Sequence, residues 1–131
     1  MRLYVFECRL IVIAFLALTF AFGLANAGDT IAPSELSDRI DTAKAPLILD
    51  VRTSGEYATG HIPGAVNIPH NELHERLSEL MSHQNQEIVV HCRSGSRAGI
   101  ARFVLSQAGF KQIRELDGHM EQWKAGGYPT K

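Results

Sequence analysis

Val89-Val90-His91-Cys92-Arg93-Ser94-Gly95-Ser96-Arg97-Ala98-Gly99 is the stretch on which the reading of the fold turns. Residues 87–91, with Ile88-Val89-Val90 at their centre, form a short apolar run rich in β-branched side chains, which predicts a buried strand. Residues 99–108 carry Ala101, Val104, Leu105 and Ala108 at helical spacing, and Gly109 supplies a stop. Between strand and helix lies a short loop. Gly95 lets it curl tightly, and Ser94 and Ser96 tolerate such turns. A loop curled this way turns successive N–H groups inward as an anion nest, and the helix N-terminus behind it adds partial positive charge. Arg93 and Arg97 add two full charges. Each of these favours thiolate over thiol at Cys92 and would hold an anionic substrate against the sulfur.

The pattern repeats outward from this unit. Pro33 opens a helical stretch with Leu36, Ile40 and Ala43 in phase. Leu47-Ile48-Leu49, ending at Asp50-Val51-Arg52, predicts a second buried strand, and 54–58 a short helical turn. Gly60-His61-Ile62-Pro63-Gly64 is a loop by composition, and 65–68 a short extended piece stopped by Pro69. Asn71 is placed to cap a helix with Leu73, Leu77, Leu80 and Met81 on one face. Residues 111–116 predict a further strand and 118–125 a last helix, with Trp123 inward. Strand and helix in alternation predict an α/β fold, a mainly parallel central sheet covered by helices on both faces. Ligands of such sheets bind outside the carboxyl ends of the strands. The loops after Leu49, His91 and Leu116 are therefore the candidate site.

The chain of 131 residues carries 13 Lys+Arg against 14 Asp+Glu, a formal charge of -1, which argues against a basic nucleic-acid footprint. The length suits one domain. Arg2 and Arg9 precede an apolar run from Leu10 to Leu24, and Ala25-Asn26-Ala27 follows as a small-x-small cleavage pattern. Residues 1–27 are expected to be a signal peptide, cleaved after Ala27. That would leave residues 28–131 as an exported single domain with no stable membrane anchor. Cys8 leaves with the signal, so Cys92 is the one cysteine remaining, and no internal disulfide is expected.

At this point the chain resembles the rhodaneses, single-domain sulfurtransferases. Cys92-x-x-Gly95-x-Arg97 matches the six-residue active-site loop of that family. Asp50-Val51-Arg52, Glu56-Tyr57 and Gly60-His61-Ile62-Pro63-Gly64-Ala65-x-Asn67-Ile68-Pro69 match its N-terminal signature. Leu116-Asp117-Gly118, Trp123 and Gly127-x-Pro129 are similar to its C-terminal one. With an export signal ahead of one domain, the resemblance is to the periplasmic, phage-shock-type members. It implies a rhodanese-like fold and transfer of sulfane sulfur from thiosulfate to cyanide or a thiol through a persulfide on Cys92. Arg93, Ser94, Gly95, Ser96, Arg97 and Ala98 would form the substrate-binding loop. The resemblance implies no cofactor or metal, and the same chemistry can serve a protein acceptor of sulfur. His119 stands where many members have a second glycine, and no second rhodanese domain is expected to close the site.

Arg97 is expected to orient the loop through a carboxylate, Glu56 or Asp50, since both loops emerge at one end of the sheet. Arg93 is expected at the pocket rim. His91 should point away from Cys92 by strand alternation, while His61 and His119 come from loops near the pocket. His70 and His74, spaced i, i+4, have no third ligand in reach by spacing and read as a surface pair. Two other functions use the same cysteine. A non-turnover sulfur carrier that docks to a partner is one; a cysteine phosphatase is the other, but it requires Cys-x5-Arg where Cys92 and Arg97 give Cys-x4-Arg. Disulfide exchange lacks a resolving cysteine.

Overall fold

The computed structural model describes residues 29–131, so the expected signal peptide lies outside the described residues. Five strands, β1 (Thr30–Ile31), β2 (Leu47–Asp50), β3 (Val66–Asn67), β4 (Ile88–His91) and β5 (Ile113–Leu116), form one sheet in the order β1-β5-β4-β2-β3. Every pairing is parallel. The helices are α1 (Pro33–Asp41), α2 (Ser54–Ala58), α3 (Ser96–Gln107) and α4 (His119–Ala125).

The central strands β2 and β4 pair through four residues each, Leu47 to Ile88 through Asp50 to His91. Side chains alternate along them and feed two cores. Leu49, Ile88 and Val90 pack toward Ala101 and Leu105 of α3 and toward Leu73 and Leu80. Ile48 and Val89 pack toward Leu36 of α1 and toward Met120 and Trp123 of α4. Both faces of β4 are buried, which is why its sequence is a continuous apolar run and not an alternating one.

Three details differ from the expectations. Residues 71–81 do not form an α-helix. The chain runs through turns into two 3-10 turns, Leu77–Glu79 and Met81–His83, with N–H groups of Leu80 and Gln84 donating three residues back to Leu77 and Met81. A three-residue repeat keeps Leu77 and Leu80 on the core side, whereas a 3.6-residue repeat would also have carried Met81 there; Met81 is exposed. The second difference is the start of α3, at Ser96 and not Gly99. Gly95, at φ 129, breaks the chain and lets the helix begin immediately behind the loop. Third, β1 is an edge strand of two residues, made by its ladder with β5: Ile31 accepts from the Asp117 N–H at 2.9 Å.

Candidate active site

Cys92 follows the last residue of β4 and sits at the carboxyl end of the sheet, beside the end of β2. It inherits the phase of Ile88 and Val90, so its side chain joins the core on the α3 side. His91, one residue earlier, points to the other face, as alternation requires. The Cys92 residue is 1% exposed, and its Sγ accepts the Gly95 N–H at 3.0 Å. Twelve residues of α3 start directly behind that contact, so the positive end of a three-turn helix faces the sulfur.

The loop is tied down on two sides. Its first residues bond to the start of α4, where the Met120 and Glu121 N–H groups donate to the carbonyls of Cys92 and Arg93 at 3.1 and 3.2 Å. Its last turn is tied to α2. Arg97 donates through Nη1 and Nη2 to Glu56 Oε2 and Oε1 at 2.7 and 2.9 Å, a two-pronged pair. Glu56 is itself fixed in a capping box: its carboxylate accepts the Thr53 N–H at 2.9 Å, and the Thr53 hydroxyl accepts the Glu56 N–H. The Arg97 pair holds the Glu56 carboxyl well down, at about 2, against the opposing effect of burial. Of the two candidate partners for Arg97, the structure thus brings Glu56 to it.

Asp50 is engaged elsewhere. Its carboxylate is fully buried and receives Arg52 Nε at 3.0 and 3.1 Å and Arg52 Nη2 at 2.7 Å. Arg52 Nη2 continues to the Gly60 carbonyl at 2.8 Å. Asn67 donates to the main-chain oxygens of both Asp50 and Arg52. Asp50 therefore braces the floor of the site and the 60–64 loop, with no bond to Arg97. The sequence reading gave Arg52 and Asn67 no role of their own, although Asp50-x-Arg52 puts the two side chains on one side of a strand end, and Thr53-x-x-Glu56 is the capping-box spacing.

The remaining loop residues divide by exposure. Ser94 and Ser96 face solvent, and among the described residues their hydroxyls have no hydrogen-bond partner. Ala98 is buried against the core. Arg93 lies at the rim, mostly exposed, and its Nε meets Glu121 at 3.1 Å; solvent screening leaves this pair little energetic weight. Beside the loop is a cleft of about 380 Å³ lined by Arg52, Glu56, Thr59, Arg93, Glu121 and Lys124 among others. A larger cleft of about 460 Å³ lies at the amino ends of β4 and β5, away from Cys92, with Arg39 and Arg102 already paired to Glu87 and Asp29.

Two histidines flank the cysteine backbone. His91 is fully buried; its Nδ1 faces the Cys92 carbonyl at 3.3 Å and so carries the ring proton. Among the described residues its Nε2 has no hydrogen-bond partner, and it stands 3.7 Å from Asp50 Oδ2. Desolvation pushes His91 down to about 4, against the pull of Asp50. The folded protein therefore takes up this proton later than the unfolded chain does. The stability involved is complete above pH 6.5 and is lost as pH falls through about 4. Between pH 7 and 4 the expected loss is about 3 kcal/mol. Denaturant unfolding at several pH values checks it: His91→Leu should remove most of this slope, and an unchanged slope would place the acid sensitivity elsewhere.

Residues 32–126 match the rhodanese-like domain family. A sulfurtransferase of Allochromatium vinosum is 34% identical over 94 residues, covering 72% of this chain and 86% of that protein. A putative sulfur carrier protein of Bacillus subtilis, YrkF, is 36% identical over 99 residues; they are 76% of this chain and 52% of the relative. The chain likewise spans 51% of a mycobacterial HTH-type transcriptional regulator, Rv0324, so it covers about half the length of both of these relatives. Among solved structures, a rhodanese-related protein of Thermoplasma volcanium superposes with a TM-score of 0.69 at 33% identity, over 79% of this chain and 98% of that one. The chain belongs to the rhodanese-like family, whose members similar to it include a sulfurtransferase and a putative sulfur carrier.

Proposed function

We propose that the protein is an exported thiosulfate sulfurtransferase that carries sulfane sulfur on Cys92. The observation that carries this reading is the Cys92 sulfur held by the Gly95 N–H at 3.0 Å, with the α3 N-terminus behind it. The thiolate attacks the outer sulfur of thiosulfate. The donor's S–S bond breaks, and sulfite leaves with its electron pair. The new terminal sulfur carries the negative charge of the persulfide, and the Gly95 N–H and the helix end are placed to stabilise it. Cyanide or a thiolate acceptor then attacks that terminal sulfur, and Cys92 leaves as thiolate. A nearly buried cysteine suits a donor that presents one terminal sulfur atom and disfavours a bulky one.

The 33% identity to the thiosulfate sulfurtransferase PspE of Escherichia coli, over 70 residues, supports the choice of donor and the phage-shock-type assignment. Export to the periplasm rests on the Leu10–Leu24 run and on Ala25-Asn26-Ala27. N-terminal sequencing of the exported form should begin at Gly28. Met1 retained in a membrane fraction would contradict it. The carrier reading shares the first half-reaction and differs only in the acceptor, a docked protein in place of a small nucleophile.

Steady-state kinetics with thiosulfate and cyanide should be ping-pong. Aryl phosphates should be left essentially untouched: four residues between Cys92 and Arg97 form a small ring, and phosphoryl transfer needs space for three equatorial oxygens and an in-line leaving group. Arg97→Lys should lower sulfur transfer more than its retained charge suggests, roughly tenfold, because one ammonium cannot reproduce the two-pronged grip on Glu56. Cys92-dependent aryl phosphate hydrolysis comparable to sulfur transfer would overturn the assignment.

A further inference from the structure

α4 opens on a residue with positive φ, a backbone state common for glycine and uncommon for residues that carry a side chain. His119 has φ 52, directly after Gly118 at φ 67. The residue is 7% exposed. Its Nδ1 accepts the Cys92 N–H at 3.3 Å. Its other edge fills the space behind Gly95, where an added Cβ would stand 3.1 Å from Nε2. One ring thus touches both the residue that bears the thiol and the residue whose N–H is bonded to that thiol.

An accepting Nδ1 carries no proton, so the neutral ring holds its proton on Nε2, which faces Glu115 Oε2 at 3.7 Å. The charged and titratable groups around the ring come from β5, α3 and β4. Glu115 projects from β5, with Arg102 of α3 at 3.8 Å from its carboxylate. Asp117 follows β5, and His91 and Cys92 stand at the end of β4. Burial lowers the tendency of His119 to protonate, against the pull of Glu115 and Asp117.

We propose that neutral His119 is a positioning residue for the nucleophile: its ring holds the Cys92 amide and backs Gly95, and protonation, by setting N–H against N–H, releases both. The activity arm of the test rests on the sulfurtransferase reading; the spectroscopic arm does not. In 15N-labelled Cys92→Ser protein, which has no thiol to titrate among residues 28–131, the imidazole nitrogens of His119 at pH 8 should show Nδ1 bare and Nε2 protonated. On acidification below pH 6.5, the amide signals of residue 92 and Gly95 should move with the midpoint of the His119 ring. An Nδ1-protonated ring at pH 8, or a residue-92 amide indifferent to that midpoint, overturns the proposal.

With Cys92 in place, His119→Phe fills the space without an acceptor. It should slow iodoacetamide capture of Cys92 and lower kcat/KM for sulfur transfer roughly tenfold. His119→Asn takes the left-handed backbone and offers an amide oxygen. It should recover most of the rate and lose the part of the acid decline that follows the His119 midpoint. Equal capture rates and equal pH profiles in wild type and both variants would reduce His119 to packing. The spectroscopic arm uses no His119 variant, so a His119→Phe chain that fails to fold leaves the test intact. If wild type transfers no sulfur while ring and amide still titrate together, the sulfurtransferase reading fails and the positioning role stands.

Discussion

Cys92→Ser should bring sulfur transfer to background, a loss of at least roughly a thousandfold, while the fold persists. The exchange alters one atom. A serine hydroxyl can still accept the Gly95 N–H that now donates to Sγ at 3.0 Å, so the loop keeps its anchor. The side chain lies in the core beside Val90 and Ala98, where a hydroxyl is less welcome than a thiol, and about 1 kcal/mol of stability should go. What is lost is the sulfur that leaves and accepts a second sulfur: an alkoxide is a far poorer nucleophile and leaving group toward sulfane sulfur. Initial rates with thiosulfate and cyanide, beside a thermal melt, separate the two effects. Activity close to wild type would remove Cys92 from the reaction.

Arg52→Ala should have the largest effect on stability, about 3–5 kcal/mol. Arg52 is 3% exposed and, among the described residues, supplies every side-chain hydrogen bond that the fully buried Asp50 carboxylate receives. Removing it leaves that carboxylate charged and uncompensated, 3.7 Å from His91 Nε2, and frees the Gly60 carbonyl as well. The stranded charge would then draw a proton onto His91, which Arg52 now opposes. Arg52→Met combined with Asp50→Asn should lose much less than Arg52→Met alone. No charge is stranded in the pair, and the introduced amide oxygen can still accept the residue-52 N–H that Asp50 Oδ1 now takes at 3.0 Å. Urea unfolding of the set reads this directly. A single variant no worse than the pair would mean that Asp50 and Arg52 act independently.

The parts of this architecture that are readable from sequence are those with a local cause. Apolar runs locate β2 and β4 because strands buried on both faces have little choice of residue. The loop after β4 is readable because glycine, cysteine and arginine occur together where a parallel sheet ends. Glu56 is within reach as the partner of Arg97 because α2 and the Cys92 loop emerge at one end. Other features depend on distant chain. Strand β1 exists through its ladder with β5, and two residues leave no periodic pattern. The 71–83 stretch has helical spacing, yet Leu73, Leu77 and Leu80 reach the core through turns and a three-residue repeat. Asp50 does not serve Arg97, because Arg52, two residues along and on the same side of the strand end, takes its carboxylate first. His119 can be seen in the sequence as a departure from the family pattern; that its ring takes the Cys92 amide follows only from how α4 packs against the loop.

Intact-mass measurement of the purified protein after thiosulfate treatment tests the central claim most directly. Residues 28–131 should gain one sulfur atom, lose it on addition of cyanide, and fail to gain it in Cys92→Ser. An unchanged mass in the wild type, or the same added sulfur in Cys92→Ser, would contradict a persulfide on Cys92.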